Sequence, residues 1–259
     1  MLSALRSFVW AQWESIDTEY RTERLPSGKA AAVLLTVAVG LILPTYLGKP
    51  TSVLQWERAR LAIEALEAGP TRELIPHLYW ALFKLVNYFL VPVLCIKLVL
   101  RERVADFGFS LKHSGRVWAL YAAMAVLVLP LAYLASHSAA FLRTYPKFPG
   151  AGHSWTLFFT WELAYGLQFF LLEFFFRGFM LFALARYVGS LAIAIMVVPY
   201  AMIHFGKPAA ECVGSVFAGL VLGTIALRTR SIYGGVMVHC AVAWSMDAFA
   251  LLQKGQLPR

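Results

Sequence analysis

Glu173 and Arg177, in the run Leu171-Leu172-Glu173-Phe174-Phe175-Phe176-Arg177-Gly178, stand one helical turn apart in a stretch otherwise suited to lipid. Both side chains are expensive at membrane depth, so ionisable residues placed there face a protein interior and mark a functional site. At this spacing, about 40° apart around a helix with the acid first, they offset each other's cost. Two further polar sets follow. Tyr200-Ala201-Met202-Ile203-His204 leads into Phe205-Gly206-Lys207-Pro208 and Glu211, and the last apolar stretch contains His239 and Asp247. A helix bundle can bring such groups into one interior pocket.

The chemistry open to this set is narrow. The chain has no Gly-rich phosphate loop, no G-x-S-x-G turn and no His-Glu-x-x-His pair. Carboxylate and imidazole remain. A carboxylate kept basic by apolar surroundings can take a proton from a water that an imidazole also holds, and a second imidazole can stabilise the resulting oxyanion. That is peptide hydrolysis without a covalent intermediate.

Each residue also has a structural reading. Glu173 and Arg177 can lock two helices, and His204 can meet the interface at a helix end. Glu211 suits the positive end of a helix dipole in the first turn after Pro208. Asp247 lies about 80° around the helix from His239, so a direct pair is possible without being required. His204, His239 and a carboxylate are conceivable zinc ligands. The metal-free reading is preferred, and no cofactor is expected. Cys95, Cys212 and Cys240 lack paired or ligand spacing and read as core residues.

The elements that position these groups follow from composition. Of 259 residues, 60% are hydrophobic and 14% charged, against roughly 45–50% and about 25% in soluble domains. The expected fold is all-α, a polytopic membrane helix bundle with seven or eight transmembrane helices. Residues 1–29, with Trp10, Trp13, Arg21 and Arg24, read as a retained N-terminal interfacial segment. Residues 30–153 hold N-terminal membrane helices and their loops, with spans near 30–47, 79–100 and 117–136 and a surface or re-entrant helix near 56–68. Residues 154–259 form the core. Apolar residues run from 155 to 187, too long for one upright span, so a long tilted helix or two joined segments are expected. Spans near 190–205, 209–227 and 232–252 complete the chain.

The net charge of +9 is spread over short connections, which points to lipid headgroups and away from nucleic acid. Lysine and arginine divide almost evenly between the two sides, and only the cluster at 101–116 favours a cytoplasmic loop.

The order Glu-x-x-x-Arg-Gly, aromatic-x-x-x-His, a small-residue span (Phe217-Ala218-Gly219-Leu220-Val221-Leu222-Gly223-Thr224), then Ser231-Ile232-Tyr233-Gly234-Gly235 and a last His resembles the CPBP family. That family comprises the type II CAAX prenyl proteases and their bacterial relatives, which are glutamate-dependent intramembrane endopeptidases. The resemblance covers about residues 163–252, and Ala105-Asp106-Phe107-Gly108-Phe109 resembles a connection that often precedes the family core. It implies that Glu173 pairs with Arg177, that His204 helps to hold the water and that His239 lies near the oxyanion.

Two positions depart from the family pattern. Leu172 stands where the family carries the glutamate that acts on water, and Ala243 stands where it carries an asparagine. Glu211 is the first candidate for a relocated base and Glu173 the second, with Tyr200 and Asp247 in support. Glu162 lies about 16 Å along the axis from Glu173 and is a poor replacement. The resemblance implies a protease of a membrane-associated protein or peptide in a bacterial inner membrane. The alternatives are an inactive relative serving as a binding, chaperone or immunity protein, and an ion-coupled transporter.

Overall fold

The computed structural model describes residues 2–21, 28–111 and 115–258. Helices in chain order are α1 (Leu2–Tyr20), α2 (Gly28–Tyr46), α3 (Glu57–Glu64), α4 (Pro70–Leu100), α5 (Gly115–Ala135), α6 (Ala139–Thr144), α7 (Trp155–Val188), α8 (Leu191–Met202), α9 (Ala209–Thr229) and α10 (Tyr233–Gln253). Among the described residues no strand forms, and Phe109 and Ser231 make one isolated antiparallel bridge. Six helices, α2, α4, α5, α7, α9 and α10, are long and apolar enough to cross a membrane, and α8 is a shorter apolar helix of 12 residues. The protein is an integral, multi-pass membrane protein of helical class. Seven or eight spans were expected; among the described residues six helices meet the length, and α8 falls short of it.

Three local differences from expectation have physical causes. The long apolar run is one continuous helix, α7, and its hydrogen bonding widens to i→i+5 over Phe174–Leu181. The helix expected near residue 79 starts at Pro70, because a proline at the first helical position costs no hydrogen bond. The surface helix is only Glu57–Glu64, with no buried residue. Arg24 lies outside the described residues, as do residues 112–114 of the basic loop.

The chain folds into two compact units. The first contains residues 1–39, 91–113 and 173–235; the second contains residues 40–90, 114–172 and 236–259. In α7 most of the apolar window is buried, whereas the other long helices leave most of theirs open. Leu35 on α2 and Val126, Leu127 and Leu134 on α5 are among the exposed apolar side chains. Apolar area of this extent is stable only against lipid.

In the first unit the helix expected at the interface, α1, is tied to the last helices. Trp13 Nε1 donates to Thr224 Oγ1 at 3.2 Å, the buried Tyr20 hydroxyl donates to the Leu227 carbonyl at 2.7 Å, and the Ser190 amide donates to Asp17 at 2.6 Å. Arg230 reaches Glu19 at 3.1 Å. The connection at 104–111 packs on the same unit: the Ile232 amide donates to the Gly108 carbonyl at 2.9 Å, and Phe109 lies 5.3 Å from Phe174 between ring centres.

The second unit is built on an aromatic series. Trp80, Trp161 and Tyr165 stack at 5.9 and 5.1 Å, Tyr165 meets Phe169 at 4.8 Å, and Phe169 stacks on His239 at 5.5 Å. Asn87 on α4 donates to the Gly40 carbonyl at 2.7 Å, which joins α4 to α2 within this unit.

Burial raises the Tyr20 hydroxyl from its usual 10.0 to about 12. The folded state therefore favours the neutral phenol, and its contribution is complete below pH 10 and fades as pH rises through about 12. Tyr20→Phe is expected to cost about 1 kcal/mol by leaving the Leu227 carbonyl unpaired. In thermal melts of the purified protein, the gap between wild type and variant is expected to close between pH 10 and about 12.

Candidate active site

Glu173 and Arg177 both have 0% exposure, and the Arg177 Nη1 donates directly to Glu173 Oε1. The i→i+5 stretch begins immediately after Glu173. Such segments are uncommon and recur at functional sites. Glycine explains how a charged pair fits here. A Cβ on Gly235 would fall 2.3 Å from Glu173 Oε2, so only a bare backbone leaves room for the carboxylate. A Cβ on Gly178 would fall 2.8 Å from the Phe107 carbonyl oxygen, so the glycine after Arg177 lets the 104–111 connection lie against α7.

Beyond the pair, the guanidinium carbon lies 4.7 Å from the centre of the buried Tyr200 ring on α8. Phe176 meets the same ring edge-on at 5.4 Å, and His204 meets it at 4.9 Å. His204 Nδ1 is 2.9 Å from the Tyr200 carbonyl oxygen. A carbonyl only accepts, so in the neutral ring Nδ1 carries the proton and Nε2 carries the lone pair. Glu173, Arg177, Tyr200 and His204 are thus one run of contacts in the first unit.

The turn after α8 places Glu211. Cys212 Sγ donates to the His204 carbonyl at 2.8 Å, joining the first turn of α9 to the end of α8. Glu211 is half-buried, and Lys207 Nζ donates to its Oε1 at 2.5 Å. Its charge is near enough to act on Tyr200. The small residues of α9 permit this close packing, since a Cβ on Gly219 would fall 2.8 Å from Val197 of α8. Lys207 as the partner of Glu211 is a site feature the sequence reading did not identify, although its i, i+4 spacing carried the signal.

His239 and Asp247 belong to the second unit. His239 is half-buried with its ring parallel to Phe169. Asp247 is fully buried and takes hydrogen bonds from Trp161 Nε1 at 2.9 Å and from the Lys147 amide at 3.1 and 3.2 Å. Its carboxylate is therefore engaged in packing α7 and the 145–148 segment. Leu172 and Ala243 are buried, and Ala243 lies in an apolar cluster with Trp161, Tyr165 and Leu251. Among the described residues no group of three or more His, Cys, Asp or Glu side chains is placed to hold a metal ion.

The seat at Gly235 makes a direct test possible. Gly235→Ala forces the Glu173 carboxylate off its position and is expected to destabilise by about 1–3 kcal/mol as an overpacked buried site. A Cβ on Gly214, also helical, meets nothing within 4 Å, so Gly214→Ala is expected to be neutral or slightly stabilising. Equal melting temperatures for the two variants would contradict the seat.

Residues 153–245 match the family model described as Type II CAAX prenyl endopeptidase Rce1-like. No curated protein and no solved structure matches the chain. The matched segment contains Glu173, Arg177, His204, Glu211 and His239 and ends before Asp247. The family is one of CAAX-type membrane proteases, in agreement with the order of motifs and with the membrane helices. The match over residues 153–245 makes this segment similar to the Rce1-like type II CAAX prenyl endopeptidases, the family grouping that the order of motifs resembles.

Proposed function

We propose that this protein is an intramembrane endopeptidase that cleaves a peptide bond of a membrane-associated protein or peptide. His204 holds the attacking water and Glu211 takes its proton. The observation that carries this reading is the contact of His204 Nδ1 with the backbone carbonyl of Tyr200, the residue whose ring covers Arg177. It fixes the ring's orientation and gives Nε2 the lone pair.

Glu173 is less suited to act on water. Arg177 holds Oε1, and the Gly235 backbone closes over Oε2. Glu211, oriented through Oε1 by Lys207, accepts the water proton as the water oxygen bonds to the scissile carbonyl carbon. That proton passes to the departing nitrogen as the C–N bond breaks, and the products are an acid and an amine. The family motif gives His239 a part as well. No metal enters this chemistry.

A second reading is favoured by Leu172 and by the apolar packing around Ala243. It makes the chain an inactive relative that binds a membrane protein without cutting it.

The two readings separate on membrane-protein C-termini from cells carrying wild type, His204→Ala, His239→Ala or Glu211→Gln. The protease reading expects shortened C-termini in the wild type and a loss of about 10²–10⁴-fold in cleavage for His204→Ala and Glu211→Gln at unchanged protein level. Identical termini in all strains favour the inactive relative, and full processing by both variants excludes the proposed roles. Cleavage by the purified wild type is expected to persist in excess chelator.

A further inference from the structure

In the first unit, the ends of α4 and α9 are both closed by an arginine. Arg101 caps α4 at φ 60° and Arg230 caps α9 at φ 53°, each in the left-handed conformation. Glycine is the usual residue at such a cap, because a Cβ there crowds the following carbonyl. At the other left-handed positions among the described residues the chain does use glycine, at Gly108, Gly189, Gly206 and Gly255. The helix dipole favours a cation near a C-terminus, but it does not require one at the cap itself. Just past α10 the two needs are met separately, by Lys254 and then by Gly255. Arginine at both strained caps therefore asks for a further use.

The fold joins these two ends. The Ile232 amide donates to the Gly108 carbonyl and the Ser110 amide donates to the Arg230 carbonyl at 3.4 Å, so the connection that leaves Arg101 lies along the turn that holds Arg230. Nearby acids are largely engaged. Arg186 pairs with Glu102, Glu19 faces both Arg230 at 3.1 Å and Arg228 at 4.0 Å, and Asp17 accepts from the Ser190 amide. Arg101, Arg103, Arg228 and Arg230 are all exposed, and Asp106 is the other acid of the connection. Apolar surface adjoins this charge: Leu98 and Val99, immediately before Arg101, are 70% and 43% exposed. Within three residues α4 passes from side chains suited to acyl chains to one suited to a phosphate.

We propose that this end of the first unit binds the headgroup phosphates of anionic phospholipids, with Arg101 and Arg230 as the principal contacts. The guanidinium forks supply donors that match phosphate oxygens. Leu98 and Val99 lie along an acyl chain, which a free phosphate lacks. The site shares no residue with the proposed hydrolysis and does not depend on it.

Titration of the full chain in neutral detergent with phosphatidylglycerol or phosphatidylcholine, read by native mass spectrometry, tests the assignment. The wild type is expected to take up phosphatidylglycerol in preference. Arg101→Gly/Arg230→Gly, which gives each cap the residue its backbone favours, is expected to weaken phosphatidylglycerol binding about 25-fold, about fivefold for each arginine, with phosphatidylcholine binding unchanged. Lys49→Gln/Arg58→Gln removes the same charge from exposed residues of the second unit and is expected to bind as the wild type does. Equal phosphatidylglycerol binding by the wild type and the double glycine variant, or an equal loss in the control variant, overturns the proposal. So does a wild type that prefers neither lipid, or one from which inorganic phosphate displaces phosphatidylglycerol at equal concentration. If the double glycine variant does not accumulate, Arg101→Gly/Arg103→Gln serves, and a loss of similar size is expected.

Discussion

The ion pair between Glu173 and Arg177 is the constraint on which the first unit depends. Neither side chain touches solvent, and an unpaired charge at such a site costs several kcal/mol. The surrounding residues are therefore chosen to admit the pair and hold it: Gly235 clears space for the carboxylate, Gly178 brings the 104–111 connection against α7, and Tyr200 covers the guanidinium. The widened turns of α7 after Glu173 present the arginine within the same enclosed volume.

From the pair the arrangement extends outward by contact. Tyr200 joins Arg177 to His204 through its ring and its carbonyl, and Cys212 joins the His204 carbonyl to the first turn of α9. Helix α1 then braces this group of helices, with Asp17 at the start of α8 and Tyr20 at the end of α9. A buried charge pair is weak evidence for stability by itself. Its role here is positional, because a tyrosine stacked on a fixed guanidinium has little freedom to move the imidazole that lies on it.

Much of this was legible in the sequence, because hydropathy and charge in a membrane span are nearly independent of tertiary detail. The helical class, the long apolar run, the Glu173/Arg177 turn and the Tyr200-to-His204 spacing all follow from short-range pattern. The purpose of Gly235 was not legible, since it depends on a carboxylate 62 positions earlier in the chain. Nor was the engagement of Asp247 by Trp161, which needs α7 and α10 side by side. The start of α4 at Pro70 was hidden by polar residues that precede the apolar stretch. Leu172 and Ala243 stand where the family pattern has polar groups, and Ala243 lies within an apolar cluster that only the folded chain assembles.

The most direct test of the central claim, that His204 and Glu211 deliver water to a peptide carbonyl, is an isotope measurement. Purified protein in lipid would be incubated with membrane proteins in heavy-oxygen water, and new C-terminal carboxylates would be read by mass spectrometry. The account predicts heavy oxygen in new C-termini with the wild type and none with Glu211→Gln. Equal labelling by wild type and Glu211→Gln, or no new C-termini with the wild type, would contradict it.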